Sequence, residues 1–148
     1  MNHGVLSGIM PIFTVAILVA LLTGCSLINR SEPDIRGQWT LTSVDGEPLT
    51  ASEAPRPGKT GFTLNLSDSG SASGKAACNT WRASYSRQGN ALTMSQLVTT
   101  RAFCLLNDRL KAIESDFPGA LRNATISDIS EQELTLVTQS GHTWVFSR

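Results

Sequence analysis

Between Gln38 and Phe146 the apolar residues keep a period of two everywhere except one stretch, and that pattern leaves few architectures open. Trp39 and Leu41 share a face, as do Phe62, Leu64 and Leu66, then Trp81, Ala83 and Tyr85, then Leu92 and Met94. Near the end Leu134 and Leu136 alternate, followed by Trp144 and Phe146. Each run reads as a strand with one buried face. Turn signals separate the runs: Asp45-Gly46, Ser67-Asp68-Ser69-Gly70, Gln88-Gly89-Asn90 and Ser140-Gly141. Leu49 to Lys59 carries Pro55, Pro57 and Gly58 and reads as loop. Ser71 to Ala77 is a weak strand of small residues, where Gly74 permits close packing by a neighbour or a sharp bend. The exception is Leu106, Leu110, Ile113, Phe117 and Leu121, spaced as the stripe of an amphipathic helix. Pro118 falls inside it and predicts a kink or restart near Ser115-Asp116. Antiparallel hairpins, one helix and a final hairpin make a mainly β fold. Both apolar faces are buried if the sheet curls into a small barrel with the helix covering it.

The N-terminus follows different rules. Residues 1–24 hold no Asp, Glu, Lys or Arg, and an apolar run spans Ile12 to Leu22. That run is short for a membrane span and suits the core of a signal peptide, although its leading segment offers only the α-amino group and His3 as cations. It ends in Leu22-Thr23-Gly24-Cys25, which resembles the bacterial lipobox. The resemblance implies cleavage before Cys25, acylation of its thiol and amine, and membrane attachment through two or more chains. A plain transmembrane anchor is the competing reading. Ser26, where an Asp would retain a lipoprotein in the inner membrane, implies an outer-membrane, periplasm-facing location. The expected organisation is a signal peptide over 1–24, a tether over 25–35 and one domain over 36–148. The tether reaches at most about 35 Å.

Twelve Lys and Arg balance twelve Asp and Glu, so the basic excess that nucleic acid requires is missing. With 41% apolar and 16% charged residues the chain is not a disordered one. Catalytic constellations are sparse. His3 and His142 are the two histidines, and His142 lies beside a turn signal. Asp68, Glu131 and Glu133 also fall by turns, where acids serve solubility. No Ser sits in a nucleophile elbow, and Gly70 to Gly74 lacks what a phosphate loop needs. The sequence therefore offers no catalytic residue, no metal site and no cofactor. Trp39, Trp81, Trp144, Tyr85 and the Phe residues read as core, the rival being an apolar cavity for a lipid.

If Cys25 is acylated, Cys78 and Cys104 remain. In an oxidising compartment an even remainder reads as one disulfide. Two free buried thiols or a redox pair are the alternatives. Without a neighbouring His the two cannot complete a zinc site.

In this order the elements resemble the META domain of HslJ-like heat-shock lipoproteins. The resemblance rests on Gln38-Trp39-Thr40-Leu41 with Asp45-Gly46, on Ala77-Cys78-Asn79-Thr80-Trp81, on Thr100 with Cys104, on Glu114 and Phe117, and on Leu134-Thr135-Leu136 with Gly141. It covers about residues 36–147. Ala77 stands where that family usually has Gly, and Ala102-Phe103 replaces its common Met-Ala. The resemblance implies a β-rich barrel with one helix, an envelope location and no established catalytic residues. It also implies a role in stress tolerance and resistance to novobiocin-type antibiotics. The expected partners are the membrane, through Cys25, and an envelope protein. A pilotin-like carrier of lipid or of a secretin tail is the alternative function.

Overall fold

The computed structural model describes residues 32–50, 53 and 61–148, with Met1 and Gly4. Cys25, the expected signal peptide and most of the expected tether lie outside the described residues, as does most of the loop expected over 49–59.

Among the described residues nine strands and one helix follow one another: β1 (Gly37–Val44), β2 (Glu47–Pro48), β3 (Gly61–Leu66), β4 (Ser71–Ala77), β5 (Asn79–Gln88), β6 (Ala91–Thr99), α1 (Asp108–Arg122), β7 (Asn123–Ile129), β8 (Glu133–Thr138) and β9 (Thr143–Ser147). Every pairing is antiparallel, and from β3 onward each strand pairs with the next strand in the chain. β1 pairs with β3 on one side and with β9 on the other, setting Leu41 opposite Phe146 and Val44 opposite Trp144. That last pairing closes eight strands into a barrel, and the two-residue β2 adds only a hairpin to β1. Closure removes the free edges that an open sheet of this size would expose.

The inward positions are the alternating residues of the sequence. Trp39, Leu41, Phe62, Leu64, Leu66, Leu92, Ile126, Leu134, Trp144 and Phe146 are all buried. They fill the space in which a barrel-type carrier would hold a lipid. Gly74 is dictated by packing. Trp81 pairs directly with it across β4 and β5, and the indole N–H passes it to donate to the Thr63 carbonyl at 3.3 Å.

The helix closes one mouth of the barrel. Asn107 caps it, accepting the Leu110 N–H at 2.8 Å, and Asp108 in the first turn favours the positive end of the helix dipole. Arg109 donates to the carbonyls of Glu47 and Pro48 and pairs with Glu53, tying this end to the β1–β2 hairpin. The other end runs into β7, which pairs with β6 only from Ala91 to Thr93. Phe117 points into the barrel, its ring centroid 5.4 Å from Phe62, 6.0 Å from Trp81 and 5.2 Å from Trp144.

Two sequence expectations are corrected here. The helix does not restart near Ser115-Asp116; α1 continues through Pro118 to Arg122. An interior proline costs about 3 kcal/mol. The same helix buries Leu110, Ile113, Phe117 and Leu121, each contributing about 1.5–3 kcal/mol, so packing outweighs the break. Leu106, the first residue of the expected stripe, precedes α1 and packs on the core from the loop.

The far mouth is closed by Arg148. Its guanidinium lies 4.1 Å from the Trp39 ring centroid and donates to the Arg36 carbonyl at 2.7 Å. The Trp39 N–H is satisfied by the Ile35 carbonyl at 2.7 Å.

Candidate functional site: the disulfide-clasped loop

The segment 100–107 carries the chain from β6 to α1 without secondary structure, across the helix-covered mouth. A loop of this kind normally moves. This one is held at several points. Cys78, in the turn between β4 and β5, is joined to Cys104 by a disulfide with the Cα atoms 6.3 Å apart. Ala77 precedes that turn with φ of +52°, the left-handed region where a Cβ is strained. This backbone explains why a Gly is usual at the position.

Asn79 is the hub on the polar side. Its Oδ1 accepts the Ala102 N–H at 2.6 Å and the Thr100 hydroxyl at 2.9 Å. Its amide N–H donates to the Glu114 carboxylate on α1 at 2.8 Å. Thr80 and Thr100 add two further bonds, from the Thr80 N–H to the Thr100 hydroxyl and from the Thr100 N–H to the Thr80 carbonyl. Only 9% of Asn79 is exposed, so these bonds work in a setting where an unmade one would cost about 1–3 kcal/mol.

With its backbone fixed, the loop alternates. Cys104 and Leu106 turn inward and are half-buried, whereas Arg101, Phe103 and Leu105 point outward. Phe103 and Leu105 are each 91% exposed. Among the described aromatic residues Phe103 is the exposed exception to the reading as core: the clasp pins Cys104 beside it and the ring stays at the surface. Arg101 and Phe103 also stand on the wall of an open groove of about 430 Å³, lined further by Ala76, Asn79, Glu114 and Pro118.

The other residues singled out by the sequence do not converge on this loop. His142 lies in the β8–β9 turn, 2.7 Å from an Asp45 carboxylate oxygen, while the second oxygen accepts the Thr143 N–H at 2.8 Å. The Thr143 N–H and then the His142 ring hold the Asp45 carboxyl below the usual range. The result is a latch between two turns: the His142 backbone N–H donates to the Thr138 hydroxyl at 3.0 Å, and among the described residues no hydroxyl or thiol is bonded to the His142 ring. Asp68 pairs with Arg36 at 2.7 Å. Glu53 is nearly buried and sits below the usual carboxylate range, chiefly through the Thr50 N–H and the Asn107 amide. Among the described residues one group has the spacing of a metal site: Cys78, Cys104 and Glu114. Bonded to each other, its sulfurs are not thiolates and offer no such ligand.

Cys78 and Cys104 were legible in the sequence as a pair; the hub role of Asn79 and the outward ridge were not. The usable signal was the alternation of Arg101, Phe103 and Leu105 around a clasped cysteine.

A family model described as META domain matches residues 33–148. No curated protein is similar to the chain at a significant level. Among solved structures, a protein determined by NMR is 24% identical with a TM-score of 0.60, covering 76% of this chain and 88% of its own. A second NMR structure, of a protein from Burkholderia xenovorans, is 22% identical with a TM-score of 0.57, covering 100% of this chain and 97% of its own. At these identities the likeness is one of fold.

Proposed function

This chain belongs to the META domain family, and from that premise we propose that it is a non-enzymatic bacterial envelope lipoprotein. In this reading acylated Cys25 anchors it at the periplasmic face of the outer membrane. There it supports membrane integrity, stress tolerance and resistance to novobiocin-type antibiotics. The observation that carries the non-enzymatic part is where the polar groups are committed. His142, Asp45, Asn79 and Glu53 each hold backbone or a neighbouring loop in place, while apolar side chains fill the barrel. An enzyme needs nucleophile, base and charge stabiliser converging on one substrate atom. The anchoring part rests on the lipobox-like sequence at Cys25 and on the short apolar run from Ile12 to Leu22 that leads into it.

The test is complementation of a deletion strain, read by novobiocin sensitivity and by acyl labelling. Wild-type protein and His142→Ala restore resistance, while Cys25→Ala accumulates as unlabelled precursor and fails. Persistent labelling of Cys25→Ala overturns the anchor. A folded His142→Ala protein that cannot complement overturns the non-enzymatic reading.

A further inference from the structure

We propose that the outward ridge Arg101–Phe103–Leu105 is a wedge that seats the helix-covered mouth of the barrel on an anionic phospholipid bilayer. It rests on the envelope reading for the presence of a membrane nearby, and on the ridge itself for everything else.

The first argument is the distribution of apolar exposure. Apart from Met1, the exposed large apolar side chains among the described residues are Val98, Phe103 and Leu105, within one short stretch. Val98 stands apart on β6 opposite Arg82, and a single such residue needs no explanation; Phe103 and Leu105, two positions apart on one loop, do. The second argument is charge. From Gln88 to Asn107 the chain has one charged residue, and it is Arg101. Among the described residues the Arg101 guanidinium has neither an ion-pair nor a hydrogen-bond partner. The carboxylate that shares its groove, Glu114, is engaged by Asn79, and Asp108, the next charged residue along the chain, is paired with Lys111 at 3.1 Å. The ridge thus presents a cation, an aromatic and an aliphatic side chain at alternate positions. That is the composition favoured where headgroups meet acyl chains.

The third argument is rigidity. The disulfide and the Asn79 bonds fix the loop before anything docks, so insertion carries little ordering cost. A ridge that projects also suits a fluid apolar layer, which needs no shaped counterpart. A protein partner would have to supply a pocket for each side chain.

The experiment uses the purified full chain with benzoyl-phenylalanine, a photoreactive analogue, in place of Phe103. A control carries it in place of Gln132, an exposed residue of the β7–β8 turn near Arg148 at the opposite mouth. Each protein is irradiated with vesicles of phosphatidylglycerol and phosphatidylethanolamine, and adducts are weighed by mass spectrometry. We expect single-phospholipid adducts at position 103 at least about tenfold above those at 132, the scale set by burying one benzyl side chain. The excess should fall several-fold with Arg101→Glu or with phosphatidylcholine vesicles. Since position 103 is exposed, these changes leave the core intact, and an unchanged melting temperature verifies it. Equal yields at 103 and 132 overturn the wedge, as do adducts of protein mass at 103, which would mark a second copy. Repeating the pair in a Cys25→Ala background keeps the two readings apart. The ratio should survive there whether or not Cys25 is the acylated residue.

Discussion

Gly74→Ala is the smallest change that should break this barrel. A Cβ built on Gly74 lies 1.9 Å from the Thr63 carbonyl oxygen, 2.7 Å from the Thr63 carbonyl carbon and 3.0 Å from the Trp81 indole nitrogen. Two of these neighbours are backbone of β3, so no side-chain rotation relieves them. Normal contact would need β3 and β4 to part by more than an ångström, between the paired positions Phe62–Ala76 and Asn65–Ser73. Overpacking of this kind costs about 1–3 kcal/mol. Parting the strands also breaks the bond from Trp81 to the Thr63 carbonyl, and leaving a buried N–H unpaired costs about 1–3 kcal/mol more. The expected loss is therefore about 4 kcal/mol, or roughly 2 M in urea midpoint for a domain of this size. Equilibrium urea unfolding followed by tryptophan fluorescence measures it. Trp81→Phe removes the N–H together with part of a buried ring packed on Phe117, and should cost about 1–3 kcal/mol. The double variant should be less damaging than the two losses added, because the bond can be lost only once. A Gly74→Ala midpoint within about 0.3 M of wild type would refute the argument that Gly74 is set by close approach.

Replacing both Cys78 and Cys104 by Ser opens a link between residues 26 apart in sequence and should cost about 3–4 kcal/mol on the chain-entropy account, read by the same urea titration. Glu53→Gln should lower stability only above about pH 4. The folded-state carboxyl is held below its ordinary value near 4.3, so its contribution is present above that pH and lost as pH falls through the lowered value. Melting temperatures of the two proteins should converge at low pH, and a gap that persists there would show that the carboxylate charge is not what matters.

Most strands and turns were legible along the chain because their signals are local; the two-residue β2, whose Pro48 reads as loop, was not. A period of two, broken by Asp-Gly and Gly-Asn turns, specifies hairpins whatever surrounds them, and the four-three spacing from Leu110 to Leu121 specifies the helix. Two cysteines left over from a lipobox specify a possible bridge. Even the weak strand Ser71–Ala77 carried its meaning, since only a missing side chain at Gly74 lets Trp81 reach Thr63. Three matters could be settled only by the tertiary structure. That the sheet closes depends on β1 meeting β9 from the far end of the domain, a contact no local pattern encodes. That α1 runs through Pro118 depends on Phe117 meeting Phe62, Trp81 and Trp144, whose combined burial outweighs the lost helix bond. Phe103 stands in water while Phe62, Phe117 and Phe146 do not, because the disulfide and Asn79 fix the loop's backbone and thereby its outward face. Hydrophobicity fixes how strongly a side chain seeks the interior; long-range closure and covalent restraint decide whether an interior is within its reach.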